Sequence, residues 1–92
     1  MTDPINVIVV TSPGCHFCDD ALSLLGELAE TYPLRRENVP LSSEVGRALL
    51  VRHRVPFPPI LMIDGEFFGY GRISRRKLEA HLVSMTAGER AG

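Results

Sequence analysis

The sequence predicts an α/β fold whose strands and helices follow one another in the order βαβ–α–ββα. Short apolar runs alternate with segments whose apolar residues recur every three or four positions, which predicts alternating strands and helices. The dipeptide Asp64-Gly65 lies between two apolar runs and is typical of a hairpin turn. Because a βαβ crossover joins parallel strands and a hairpin joins antiparallel ones, we expect a mixed four-stranded sheet with helices on both faces.

The first half of the chain contains the βαβ unit. Residues 5–11 are short and rich in Val and Ile, as in a buried strand, and residues 12–14 (Ser-Pro-Gly) indicate a turn. A helix is expected from about residue 15 to 32, where Pro33 stops it. Residues 34–39 predict a second strand, which belongs at a sheet edge because three consecutive charged residues would destabilise a central strand.

A second helix is expected to begin after a serine cap, Ser42 or Ser43, and to run to about Arg52. The residues expected on its buried stripe are Val45, Ala48 and Leu49.

The last third of the chain predicts a hairpin and a helix. The fully apolar residues 60–63 should pair with residues 66–68 across the turn. Ser74 is the expected cap of a helix over residues 75–85, and residues 86–92 are expected to fray.

Length and composition indicate one domain over residues 1–92, with a single core. The net charge of −1 gives no general attraction to nucleic acid or to anionic membranes. The apolar run at residues 7–10 is too short for a signal core or a membrane span, so we expect a cytoplasmic protein. We also expect a monomer.

The only two cysteines in 92 residues, Cys15 and Cys18, stand at Cys-x-x-Cys spacing between a predicted strand and a predicted helix. On the first turn of a helix this spacing brings two sulfurs within reach of one disulfide, so the pair predicts a dithiol redox site. Free N–H groups and the helix dipole favour a thiolate there. His16 would add to this effect when protonated, whereas Asp19 and Asp20 would oppose it.

This element order, with Cys-x-x-Cys at the start of the first helix and a proline just before the third strand, resembles the thioredoxin-fold family. The chain is most similar to its glutaredoxin-sized members. The resemblance implies that Cys15 is the nucleophile, that Cys18 resolves the mixed disulfide and that Pro59, with Pro58 as the alternative, is a cis-proline beside the substrate groove. His16 and Phe17, the two residues between the cysteines, are expected in the same groove.

The chain departs from the family at four places, one of which is Ser12, where glutaredoxins often have a lysine. The usual glutaredoxin Cys-Pro-Tyr-Cys and thioredoxin Cys-Gly-Pro-Cys motifs are replaced by Cys-His-Phe-Cys. The buried aspartate of thioredoxins falls at Val9, so thioredoxin-type proton transfer is not expected. The Gly-Gly-acidic segment by which glutaredoxins bind glutathione is replaced by four residues that we expect to bind an anion or cofactor, Gly69, Tyr70, Gly71 and Arg72.

The resemblance implies two classes of partner. The first is a disulfide-bearing protein or low-molecular-weight thiol as substrate, and the second is a reductase or thiol donor, with glutathione a candidate electron donor. We expect no tightly bound cofactor. No metal site is expected either, because His16, His53 and His81 lie on separate segments and a closed zinc site needs four ligands.

Two secondary features leave alternatives open. Four basic residues surround the start of the last predicted helix, where the dipole disfavours cations, and form either an anion-recognition patch or an exposed turn: Arg72, Arg75, Arg76 and Lys77. Phe17 and Phe57 would form an apolar rim around Cys15, and the adjacent Phe67 and Phe68 should point to opposite faces of the sheet.

The sequence therefore predicts a thiol–disulfide oxidoreductase. The alternatives are a thioredoxin-fold interaction module or redox switch without turnover and, from the same cysteines, a metal or cluster carrier.

Overall fold

A computed structural model describes the backbone of residues 4–91 and the side chains of residues 4–86. Its elements follow the predicted order: β1 (Ile5–Thr11), α1 (His16–Leu28), β2 (Leu34–Pro40), α2 (Glu44–Arg52), β3 (Ile60–Ile63), β4 (Glu66–Tyr70) and α3 (Arg75–Ala91). Within this part of the chain, no helix has both the length and the apolar character needed to cross a membrane.

The strands form one mixed sheet in the spatial order β2-β1-β3-β4. β1 pairs with β2 in parallel and with β3 in antiparallel fashion, and β3 pairs with β4 in antiparallel fashion. All four residues of β3 are buried, as expected of a central strand. β2 lies at an edge, as predicted, and its charged residues Arg35, Arg36 and Glu37 are exposed.

Helices cover both faces of the sheet, as predicted. Alternate residues of β1 point to opposite faces, and Val7 and Val9 pack with α1 and α3 in one apolar cluster. Val10 and Ile8 belong to a second cluster, on the face covered by α2. The central strands are therefore protected from water on both sides.

The predicted hairpin is present. Asp64 (φ 48°) and Gly65 (φ 82°) both have positive φ, as a type I′ turn requires. Asp64 exchanges two hydrogen bonds with Asn6: its N–H donates to the Asn6 carbonyl at 2.8 Å, and its Oδ1 accepts from the Asn6 N–H at 2.9 Å. These bonds attach the turn to the start of β1.

Phe67 and Phe68 point to opposite faces, as predicted. Phe68 packs against the cluster beneath α3, whereas Phe67 stacks on His53 at the end of α2, with ring centroids 4.8 Å apart. The β3–β4 register shifts between Leu61 and Met62. Leu61 pairs with Gly69 and Met62 with Phe67, so Phe68 is the extra residue of a β-bulge.

Several element ends differ from the predicted ones. α1 ends at Leu28, earlier than predicted, and the Leu28 carbonyl accepts the N–H groups of both Thr31 and Tyr32 in a turn that precedes Pro33. β2 and β4 extend slightly beyond the predicted strands, to Pro40 and Tyr70. α3 continues to Ala91, and the predicted fraying of residues 86–92 falls, apart from Thr86, on residues whose side chains lie outside the described part.

The buried stripe predicted for α2 is right for Leu49 and wrong for the other two residues. Val45 and Ala48 are exposed, and the residues that face the sheet are Gly46, Leu49 and Leu50. The inward set keeps the predicted three- and four-residue spacing but is shifted by one position along the helix.

Gly46 is the cause of this shift. A Cβ on Gly46 would overlap the carbonyl oxygen of Pro40 and contact the backbone of Leu41, so only glycine lets the helix approach the end of β2 this closely. Ser43, one of the two predicted caps, fixes the approach: its Oγ accepts the Gly46 N–H at 3.0 Å.

Two glycine-to-alanine substitutions in helices test this packing. We expect Gly46→Ala to lower the free energy of unfolding by roughly 1–3 kcal/mol, because its methyl group meets rigid backbone. Gly26→Ala in α1 is the matched control, since its methyl group would meet only a side-chain atom of Arg36 at 3.6 Å. It should stabilise the protein by roughly 0.5–1 kcal/mol. Urea unfolding measures both, and equal effects of the two changes would contradict this account of α2.

Candidate active site

Cys15 is the N-cap residue of α1. Its backbone is extended (φ −102°, ψ 111°), and its Sγ accepts the backbone N–H of Cys18 at 3.1 Å. A sulfur therefore takes the place of the oxygen that usually caps a helix. The donated N–H and the positive end of the helix dipole both favour the thiolate form of such a sulfur.

Cys15 and Cys18 differ in their access to solvent. Their sulfurs lie at disulfide distance and their Cα atoms are 5.2 Å apart. Cys15 is half-buried at the surface, whereas Cys18 is 1% exposed and belongs to the core. A reactant from solution can thus contact one sulfur of the pair but not the other.

The loop before β3 lies opposite this helix start. The Pro58–Pro59 peptide bond is cis, which confirms the choice of Pro59. The carbonyl oxygen of Pro58 lies 3.9 Å from Cys15 Sγ. Pro59 is buried, and its carbonyl accepts the N–H of Gly71 at 2.8 Å, so the loop is attached to the end of β4.

A surface hollow of about 530 Å³ contains the half-buried sulfur; we call it the cysteine groove. His16, Phe17 and Pro58, three of the residues expected in a substrate groove, line it, while Pro59 lies buried beneath its wall. The sequence identified the other wall, residues 12–14, only as a turn. Their nearness to Cys15 in the chain was the available signal.

Three exposed aromatic rings extend from the cysteine groove. The ring centroids of Phe17 and Phe57 are 6.4 Å apart, and the edge-to-face pair of Phe57 and Tyr70 is separated by 5.6 Å. The predicted apolar rim beside Cys15 is thus present, and Tyr70 prolongs it toward the start of α3.

Comparison with solved structures places this geometry in a known fold. A mutant thioredoxin from Halobacterium salinarum superposes with a TM-score of 0.67 at 19% identity, over 89% of this chain and 74% of that one. Glutaredoxin 1 from Francisella tularensis, complexed with cacodylate, superposes with a TM-score of 0.60 at 16% identity, over 90% of this chain and 98% of the glutaredoxin. A Schistosoma mansoni thioredoxin superposes with a TM-score of 0.65 at 20% identity, over 89% of this chain and 79% of that thioredoxin.

The chain has the thioredoxin fold. No protein-family model matches it, and no curated protein matches its sequence. At identities of 16–20% the structural similarity shows the fold, and the chemistry rests on this chain's own residues.

One departure from thioredoxins has a structural counterpart. Val9, to which the sequence resemblance assigned their buried aspartate, is 1% exposed in the apolar core, and the core of the described residues contains no buried charged or polar side chain.

The four residues predicted to bind an anion do not all line one hollow. Gly69, Tyr70 and Arg72 line a hollow of about 270 Å³ at the start of α3, together with Lys77. Gly71 is not part of it: it has a φ of +65°, and a Cβ built on it would lie 2.8 Å from the ring of Phe57. Its place in this thioredoxin fold is beneath the aromatic rim.

The basic cluster at the start of α3 is divided as well. Arg75 forms an ion pair with Glu27 of α1, 2.7 Å between Nη1 and Oε1. The hydrogen bond to Glu27 and its negative charge raise the pKa of Arg75 above its ordinary value. Arg75 therefore links two helices, and Arg72, Arg76 and Lys77 are left exposed at the helix start.

The three histidines lie apart from one another. His16 lines the cysteine groove, His53 stacks on Phe67, and His81 lies 5.5 Å from the ring of Phe68. Among the described residues, no three His, Cys, Asp or Glu side chains are placed to hold a metal ion.

Substitution of Gly71 tests how the aromatic rim is positioned. Gly71→Ala and Gly65→Ala should each destabilise the protein by about 1–2 kcal/mol, because both residues have positive φ. Only Gly71→Ala should also displace the Phe57 ring, since space is open around Gly65. We expect nuclear Overhauser contacts between Phe57 and Tyr70 to disappear in Gly71→Ala and to persist in Gly65→Ala. Retained contacts in Gly71→Ala would show that the rim does not depend on this glycine.

Proposed function

We propose that the chain is a thiol–disulfide oxidoreductase in which Cys15 is the attacking sulfur and Cys18 the resolving one. The observation that supports this assignment best is the asymmetry of the pair. Cys15 is accessible at a helix N-cap, and Cys18 is buried within bonding reach of it. The thioredoxin fold, shared with thioredoxins and a glutaredoxin, is consistent with the proposal.

The first step is an exchange at Cys15. Its thiolate attacks one sulfur of a substrate disulfide R–S–S–R′, forms the mixed disulfide Cys15–S–S–R and expels R′–S⁻, which takes up a proton. The Cys18 N–H that favours the thiolate lies 3.1 Å from Cys15 Sγ.

The second step closes the internal disulfide. Cys18 loses its proton to the expelled thiolate or to water, and its sulfur attacks Cys15 Sγ and releases R–S⁻. The substrate has then gained two electrons and the cysteine pair has lost two. The described core contains no buried charged side chain that could take this proton.

The proposed partners follow from this cycle. A protein or low-molecular-weight disulfide is the substrate, and a low-molecular-weight thiol such as glutathione, or a reductase, returns two electrons to the pair. A lone cysteine pair of this kind suits the cytoplasm, where thiols are kept reduced.

Single serine substitutions separate the roles of the two sulfurs. Cys15→Ser should lower disulfide-reductase turnover by at least about 10²-fold, because the remaining sulfur is buried. Cys18→Ser should accumulate a mixed disulfide on Cys15 in a 1:1 ratio with a substrate disulfide, since no second sulfur releases it. A disulfide-reductase assay measures the turnover of Cys15→Ser, and intact-protein mass spectrometry measures the adduct on Cys18→Ser.

Cys15→Ser, incubated with the same disulfide, is the control and should remain unmodified. Equal labelling of the two variants would contradict the assigned roles. A wild-type protein that forms its internal disulfide but turns over no substrate would instead favour the redox switch.

A further inference from the structure

A second hollow, of about 570 Å³, lies beside the cysteine groove. We call it the α2 hollow because it opens between that helix and the turn that precedes α1. Six of its lining residues define it: Ser12, Pro13, Leu41, Arg47, Leu50 and Val51.

The walls of the α2 hollow follow from the packing of this helix. Arg47, Leu50 and Val51 are spaced three and four residues apart, so they share one side of α2. Val51 is 73% exposed although it is apolar. The opposite wall is the end of β1 and the turn after it, where Ser12 contributes only a small side chain.

The α2 hollow continues into the cysteine groove. Ser12 and Pro13 line both. Pro13 is two residues from Cys15, so their Cα atoms are at most about 7.6 Å apart. An extended chain rises about 3.3 Å per residue, and a polypeptide bonded to Cys15 therefore reaches the α2 hollow with its second or third residue.

The residues that line the α2 hollow determine which side chain of a bound polypeptide would be stabilised in it. Arg47 is the one charged side chain among the lining residues, and the others are apolar residues, serines and a threonine. Burial of an apolar side chain against Leu50 and Val51 would remove apolar surface of both partners from water. A small thiol compound that carries carboxylates would pair with Arg47, but it has no apolar side chain to bury against Leu50 and Val51.

We infer that the α2 hollow is a second docking subsite, which takes an apolar side chain two or three residues from the reacting cysteine of a polypeptide disulfide. The inference rests on the function proposed above. It assigns a preference among disulfides to α2, whereas exchange itself takes place at Cys15.

A peptide pair tests the inference. One disulfide-bridged peptide has Leu at the second and third positions on both sides of its cysteines, and its partner has Ser at those positions. The wild-type protein should reduce the Leu peptide with roughly three- to tenfold higher kcat/KM, the effect expected from half-burial of one leucine-sized side chain.

Two valines of α2 provide the matched variants. Val51→Glu places a carboxylate in the α2 hollow and should bring the Leu-to-Ser ratio close to one. Val45→Glu makes the same change at a valine that is 55% exposed and does not line the hollow, and should keep the wild-type ratio. Because the ratio is taken within each variant, a general loss of activity or stability cancels.

Spectroscopy gives an independent readout. In the mixed disulfide of Cys18→Ser with the Leu peptide, amide resonances of Ser12 and Val51 should shift more than in the Ser-peptide adduct. Equal shifts in the two adducts would overturn the inference.

Three further outcomes separate failure of the inference from failure of the proposed function. Reduction of hydroxyethyl disulfide with no preference for Leu would overturn the subsite alone. No reduction of any disulfide would overturn both. A dimer that dissociates in Val51→Glu but not in Val45→Glu would make a second copy of this chain the occupant and overturn the inference.

Discussion

The antiparallel pairing of β1 with β3 is the constraint on which the site depends. This pairing sets Val10 opposite Ile60, so the last residues of β1 and the first residue of β3 lie at the same end of the sheet. Cys15 follows β1 and Pro58 precedes β3, so the register between these two strands brings Cys15 and Pro58 together. Because a slip of one residue would turn Val7 and Val9 toward the wrong helix layer, the two apolar clusters permit a single register.

The site is built mainly from backbone groups and apolar surface. An N–H of α1 contacts the accessible sulfur, a proline carbonyl lies opposite it, and a bond from Gly71 attaches the proline loop to β4. Charged side chains stay at the margins: Asp19 and Asp20 are exposed on α1, and Arg75 is occupied by Glu27. Such an arrangement can favour a thiolate on Cys15 without placing a charge in the core.

Much of this architecture could be predicted because its signals are local. Strand and helix periodicity gave the element order, the Asp64-Gly65 turn gave the hairpin, and two closely spaced cysteines before a helix gave the reactive pair. The errors came from contacts between distant segments. Gly46 has no side chain for a hydropathy pattern to detect, and its role depends on the carbonyl of Pro40. Likewise, the Arg75 partner lies 48 residues away, and the α2 hollow exists only once β1 and α2 are packed together.

The central claim is that Cys15 and Cys18 exchange two electrons as one unit. The most direct test is to equilibrate the wild-type protein in glutathione buffers of graded redox ratio, trap free thiols by alkylation and count them by mass spectrometry. We expect one reversible transition in which both thiols disappear together and an internal disulfide forms, with a slope for two electrons. Two thiols that stay free at every ratio, or a glutathione adduct on Cys15 alone that is never resolved, would contradict it.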